Sequence, residues 1–258
     1  MTRDVGSIIM ILIGGALLRI TSEDVYLRYV KESLKPWLIA SGLILIVLGL
    51  LQLADVWRTA RRAQASGESA VDIGPADVGP AQADHDEVHA APRVAWLLVL
   101  PILAIFLVAP PALGAFTAQR QSSVTTAPDA TAQAPPLPAG DPVALALNDY
   151  ASRAIWDDGK TLVGRNVSMT GFATPAPNGG WYVTRLTLTC CAADATVTKI
   201  LVLGADAASS PTPTPPTNSW VTVVGHWVPG GGTQSETAIA HVQADTVKPI
   251  PAPSNPYE

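Results

Sequence analysis

The residues with the most chemistry in them share one short run, Leu188-Thr189-Cys190-Cys191-Ala192-Ala193-Asp194-Ala195. In an extended strand, neighbouring side chains point to opposite faces. Cys190 would then join Leu186 and Leu188, while Cys191 would face the other way with Arg185 and Thr187. Opposed directions hinder a bond between the two sulfurs, because a vicinal disulfide needs a distorted peptide. Three readings follow: two small buried hydrophobes at a strand end, soft ligands for a transition metal such as zinc together with Asp194 and a nearby histidine, or a redox pair.

His226 and His241 fall on the last two apolar-alternating segments, which a Greek-key barrel can bring near the cysteine strand, so both are candidate metal ligands beside the packed or surface histidines they could equally be. A separate acidic run, Asp84-His85-Asp86-Glu87-Val88-His89, spaces His85 and His89 four apart. On a helix both would face one side with carboxylates between them, a set for a hard or borderline ion; a solvated charge run is the plainer reading. There is no G-x-S-x-G elbow, H-E-x-x-H pair, phosphate-cradling glycine loop or twin CxxC, so no enzyme is expected.

The elements that must position these residues divide the chain in two. Hydrophobic residues make up 48% and charged residues only 14%, against roughly 25% charged in an average soluble domain. Most of the apolar excess lies in the first 120 residues. Trp37 to Val56 has the ~20 residues that cross a bilayer, with Trp37 and Trp57 at its edges and Arg58, Arg61 and Arg62 beyond. Val94 to Phe116 is a second such stretch, uncharged between Arg93 and Arg120. Val5 to Ile20 is shorter and is read as a retained span, with a cleaved signal peptide as the rival. Between the first two, Tyr26, Tyr29, Val30 and Leu34 recur at helical spacing and suit an interfacial amphipathic helix or a polar turn with anchoring aromatics. The arginine flanks and a sparsely charged second half place that half outside the cytoplasm.

Residues 63–92 carry six carboxylates and no lysine or arginine, and read as a disordered acidic loop; residues 119–140 read as a Pro/Thr/Ala linker. Asp141-Pro142 supplies an N-cap and a first-turn proline for one helix bearing Val143, Leu147, Tyr150, Ala151 and Ala154 on one face. Five strands follow: Asn166 to Ala173, Trp181 to Cys191, Val197 to Leu203, Trp220 to Trp227 and Ile239 to Val247. Glycine-bent V-x-V-x-G strands suit an OB-like barrel over residues 141–250, with a small β-sandwich as the rival and residues 251–258 as a proline-rich tail. The expected fold class is therefore an α+β membrane protein, with N-terminal transmembrane helices over residues 1–118 followed by a helix and a small all-β, five-stranded barrel. A net charge of −5 without a basic groove or aromatic platform argues against nucleic acid as a partner.

The paired N-terminal apolar segments, the histidine-bearing loop, the LLVLPILAIFLVAPPAL stretch, the TRLTLTCCAADA stretch and the closing KPIPAPSNPYE together resemble the YcgQ-type bacterial membrane proteins. That resemblance implies a multi-pass protein of the cell membrane acting as accessory subunit of a two-component permease, with a multi-span permease and the lipid bilayer as partners. It marks Cys190, Cys191 and Asp194 as characteristic positions without assigning them a reaction. A metal- or redox-sensing protein and a purely structural envelope protein are the alternative functions.

Overall fold

The computed structural model describes residues 2–65, 111–125, 127, 135–177, 179–204 and 214–258. The acidic loop with His85 and His89, and the Val94–Phe116 stretch up to its last six residues, lie outside the described residues. The chain forms two units, one comprising Met1–Glu23 with Lys35–Pro110 and the other Asp24–Leu34 with Pro111–Glu258.

The first unit is built on two helices, α1 (Thr2–Ser22) and α2 (Lys35–Ala65). Small residues let their backbones approach. A Cβ added to Gly14 would sit 2.6 Å from the Gly42 carbonyl oxygen, and one on Gly49 would sit 3.0 Å from that of Ser7. Such small-residue seams are how helices pack where apolar burial cannot drive them together. Leu12, Leu43, Ile44, Val47, Leu51 and Trp57 remain exposed on the outside of the pair. The segment Glu32–Thr59 is long and apolar enough to cross a membrane, whereas Gly6–Ser22 is a shorter apolar helix.

The second unit is a five-stranded closed barrel with helices N-terminal to it. A two-residue strand β1 (Val143–Ala144) runs parallel to β2 (Asn166–Pro175). β2 pairs with β3 (Trp181–Thr187), which pairs with β4 (Thr196–Leu203). β4 runs parallel to β6 (His241–Pro249); β6 pairs with β5 (Trp220–Val228), and β5 returns to β2 to close the barrel. The crossover between β4 and β6 rules out the simple up-and-down order. Closure on a short perimeter demands sharp bends, and two glycines allow them. A Cβ on Gly171 would meet the Thr184 carbonyl oxygen at 2.6 Å, and one on Gly225, beside a bulge after Val224, would overlap the Gln243 carbonyl.

Helix α4 (Leu147–Trp156) turns Leu147, Tyr150, Ala151, Ala154 and Ile155 into a core shared with Val167, Met169, Val183, Ile200, Val221, Val223 and Val242. It is preceded by a shorter helix, α3 (Ala115–Arg120), whose Ala115 and Ala118 join a second core with Phe172, Leu186, Leu188, Val197 and Tyr257. Residues 111–125, expected to end a span and begin a linker, thus pack on the barrel. Val124 donates its N–H to the Val197 carbonyl at 2.8 Å, and the Ser123 hydroxyl accepts that of Lys199 at 2.9 Å. The Tyr26–Leu34 stretch is likewise not a continuous helix. It forms two short 3₁₀ turns, Val25–Arg28 and Glu32–Leu34, with Tyr26 and Leu27 buried.

The expected helix start at Asp141-Pro142 is also corrected. Val143 and Ala144 are drawn into the sheet opposite Val167 and Ser168, and the helix begins at Leu147 after Ala146, which has no capping side chain. The cap comes from Glu258, whose carboxylate accepts the N–H groups of Leu147 at 3.0 Å and Asn148 at 3.4 Å.

Candidate functional site

Strand β3 ends at Thr187, four residues earlier than its sequence suggests, and the cause is Asp194. Its carboxylate accepts backbone N–H groups from Thr189 at 3.0 Å, Cys190 at 2.8 Å and Cys191 at 3.4 Å. Satisfying three consecutive donors with one side chain curls the chain away from the sheet before a 3₁₀ turn, Ala192–Asp194, leads into β4. Leu188 stays buried, but Cys190 is exposed and Cys191 half-buried, so neither is the packed strand-end hydrophobe that strict alternation implied.

The curl gathers ligands. One ligand atom each from Cys190, Cys191 and Asp194 lies within 4.8 Å of the others, the one such trio among the described residues. Both thiols are free. The Cys190 thiol is pushed up to about 12, first because it hydrogen-bonds to the Asp194 carboxylate and then through its contact with Cys191. The same thiol contact, joined by the backbone donors, holds the Asp194 carboxyl below the usual carboxylate range. At neutral pH these shifts favour an ionised Asp194 carboxylate beside a protonated Cys190 thiol.

A second segment fixes the loop from behind. Val30 pairs antiparallel with Cys191, the Lys31 N–H donates to the Cys190 carbonyl at 3.1 Å, and the Ala192 N–H donates to the Tyr29 carbonyl at 2.7 Å. Below it runs the closing proline-rich stretch. Leu188 donates its N–H to the Glu258 carbonyl at 3.2 Å, and Glu258 donates its own to Leu186 at 2.9 Å. Arg185 is buried at the centre, donating to the Asn255 carbonyl at 3.1 Å and the Tyr257 carbonyl at 3.3 Å while its guanidinium lies 4.8 Å from the Trp220 ring. The Tyr257 hydroxyl accepts the Leu113 N–H at 2.8 Å and donates to the Arg28 carbonyl at 2.9 Å. None of these supporting roles is visible in the spacing of the sequence. Two features hint at them: a lone arginine inside an apolar strand and a tail too ordered in composition for a mere spacer.

His226 and His241 do not join the cysteines. In the strand register His241 lies opposite Leu201, five residues along β4 from Thr196, or about 16 Å at strand rise. His226 sits near the same far end, opposite Gln243, with Asp245 at 3.5 Å. Burial lowers the His241 pKa. Among the described residues no group of three ligands includes either histidine.

The cysteine loop, the barrel, α4 and the tail all fall within one matched stretch. Residues 138–258 match the DUF1980 C-terminal domain. The DUF1980 C-terminal domain is an uncharacterised family, so the match defines a module without giving it an activity. The connector Asp24–Leu34 and residues 111–125 lie before the matched range yet belong to the same folded unit. Neither a curated protein nor a solved structure matches the chain.

Proposed function

We propose that this chain is a membrane-anchored accessory protein that holds a thiophilic divalent metal ion, zinc by preference, on its DUF1980 C-terminal domain and passes it to a multi-span permease. The observation that carries this reading is the trio Cys190, Cys191 and Asp194, with ligand atoms within 4.8 Å on a solvent-facing loop. Two thiolates and a carboxylate suit a borderline-soft ion. Structural zinc sites close with four protein ligands, whereas three leave a position open for water or an incoming ligand. An exposed, three-ligand site favours exchange over permanent retention, which is what delivery to a partner requires.

Membrane anchoring is supported by the apolar stretch Glu32–Thr59 and by the exposed aliphatic side chains of α1 and α2. Chain continuity supports a multi-pass arrangement. The connector Asp24–Leu34 and Pro111–Glu258 fold as one unit and so share one side of the bilayer. A chain that leaves that side through α2 must cross again before Pro111, and the uncharged sequence from Val94 to Ala109 is apolar enough to do so. The strand order, with β4 parallel to β6 and β5 closing on β2, fits the OB-like reading of the barrel. The permease as recipient rests on the resemblance to YcgQ-type proteins and on the scarcity of charge within the apolar stretches, which leaves no ion path of their own.

The test is metal analysis of the full-length protein in detergent after equilibration with zinc and removal of free ion. The wild-type chain should retain one ion, and Cys190→Ser and Cys191→Ser should each lose it. Equal zinc content in all three would dismiss the cysteine site; thiols recovered as a disulfide that no reductant-free zinc solution prevents would favour the redox reading instead. A membrane-impermeant maleimide should label Cys190 in intact cells if the barrel is extracytoplasmic. Failure to recover any multi-span protein with the chain from native membranes would remove the permease from the proposal.

A further inference from the structure

We infer that the connector Asp24–Leu34 is coupled to the state of the cysteine loop, so that ion occupancy is transmitted to the segment that links the end of α1 to the start of α2. This rests on the metal reading proposed above. The connector follows α1, which ends at Ser22, and runs into α2 at Lys35. Its backbone meets the ligand loop directly: Val30 bridges Cys191, and the two flanking hydrogen bonds, Lys31 N–H to the Cys190 carbonyl and Tyr29 carbonyl to the Ala192 N–H, bracket both ligand residues. The Tyr257 hydroxyl anchors the same segment at the Arg28 carbonyl. No other backbone hydrogen bonds from outside the loop reach Cys190 and Ala192 among the described residues.

The physical link is ordering. A loop with one exposed and two half-buried ligand residues, held by the Asp194 carboxylate and the connector alone, samples more conformations than one also pinned by an ion at three points. Pinning Cys190 and Cys191 fixes the carbonyl and the neighbouring N–H that the connector uses, so the bridge opens less often. Binding energetics are reciprocal: if the ion steadies the connector, a steadier connector must tighten the ion by the same factor. The accessory protein thereby carries a signal of loading toward its membrane helices as well as the cargo itself.

Amide hydrogen exchange on the full-length protein in detergent, with zinc or with a chelator, reads this directly. Zinc should slow exchange at Lys31 and Ala192 at least threefold in the wild-type chain and leave Cys190→Ser/Cys191→Ser unchanged. Lys31→Pro removes the N–H that the Cys190 carbonyl receives and should weaken zinc about three- to tenfold, the range set by one backbone hydrogen bond. Tyr257→Phe, which releases Arg28 without touching the loop, should shift affinity in the same direction by a smaller factor. Should zinc bind one to one with connector exchange unaltered and with wild-type affinity in both variants, the coupling is refuted while the metal site stands. A wild-type chain that binds no zinc at all would overturn both.

Discussion

Glu258 offers the sharpest test of how the barrel unit is held. Its carboxylate is the cap of α4, taking the Leu147 and Asn148 N–H groups where Ala146 provides no side chain of its own. Glu258→Ala leaves both donors without that partner. Loss of an N-cap costs about 0.5–2 kcal/mol, and the second bond, at 3.4 Å, is long enough to contribute little. The carboxylate also faces buried Arg185, whose charge becomes less well compensated without it. Together these place the loss near ~2 kcal/mol. For a unit of this size each kcal/mol moves the unfolding midpoint by about 2–4 °C, so tryptophan-monitored melting of the full-length protein should show a drop of about 4–8 °C. The pH dependence adds a sign that a generic destabilisation would not reproduce. Burial raises the Glu258 pKa, partly offset by the Leu147 N–H and Arg185. The folded state therefore keeps its proton to higher pH than the unfolded chain, and this group's contribution is greatest below the unfolded pKa and falls as pH rises through the folded one. Glu258→Gln should remove that descent from the stability profile above the ordinary carboxylate range. A midpoint shift under 1 °C in Glu258→Ala would refute the capping role, and an unaltered profile in Glu258→Gln would refute the burial of its carboxyl as the source of the pH dependence.

Two further outcomes follow from the geometry. Zinc binding should tighten with pH by at least tenfold per unit between pH 6 and 8, because the Cys190 thiol, raised to about 12, must surrender its proton to the solution while Asp194 is already ionised; calorimetry in buffers of different ionisation enthalpy would count the protons. Gly225→Ala should cost about 2–3 kcal/mol by denaturant titration, since its Cβ would run into the Gln243 carbonyl and lie 2.9 Å from the Ala244 Cα.

The strands were legible because their determinants are local. Alternating Val, Thr and aromatic residues, broken by glycine, locate all five barrel strands to within a few residues, except where β3 stops short. That exception has a non-local cause on a small scale: Asp194 reaches back to three N–H groups and overrides the β-propensity of Thr189 and Cys190. The start of α4 failed on a larger scale. Asp141-Pro142 has the chemistry of a helix start, yet the sheet claims Val143 and Ala144, and the working cap lies at Glu258. The chemistry of the candidate site was half visible. Cys190, Cys191 and Asp194 could be picked out by type and spacing, but their convergence depended on a curl that alternation argues against, and the separation of His226 and His241 from them required the register of β4 with β6. The role of the connector was hidden altogether, since an antiparallel bridge between Val30 and Cys191 leaves no periodic trace in either stretch.

One hydroxyl group has a bearing on how the molecule is made. Tyr257 joins three stretches that lie far apart along the chain: the Arg28 carbonyl, the Leu113 N–H and its own strand-side segment. Loop closure over such separations is slow and uncompensated until the final partner arrives. The barrel unit can be nearly complete in strands and still be unlatched, with α4 uncapped and the connector untied at Arg28, until Pro256, Tyr257 and Glu258 settle into place.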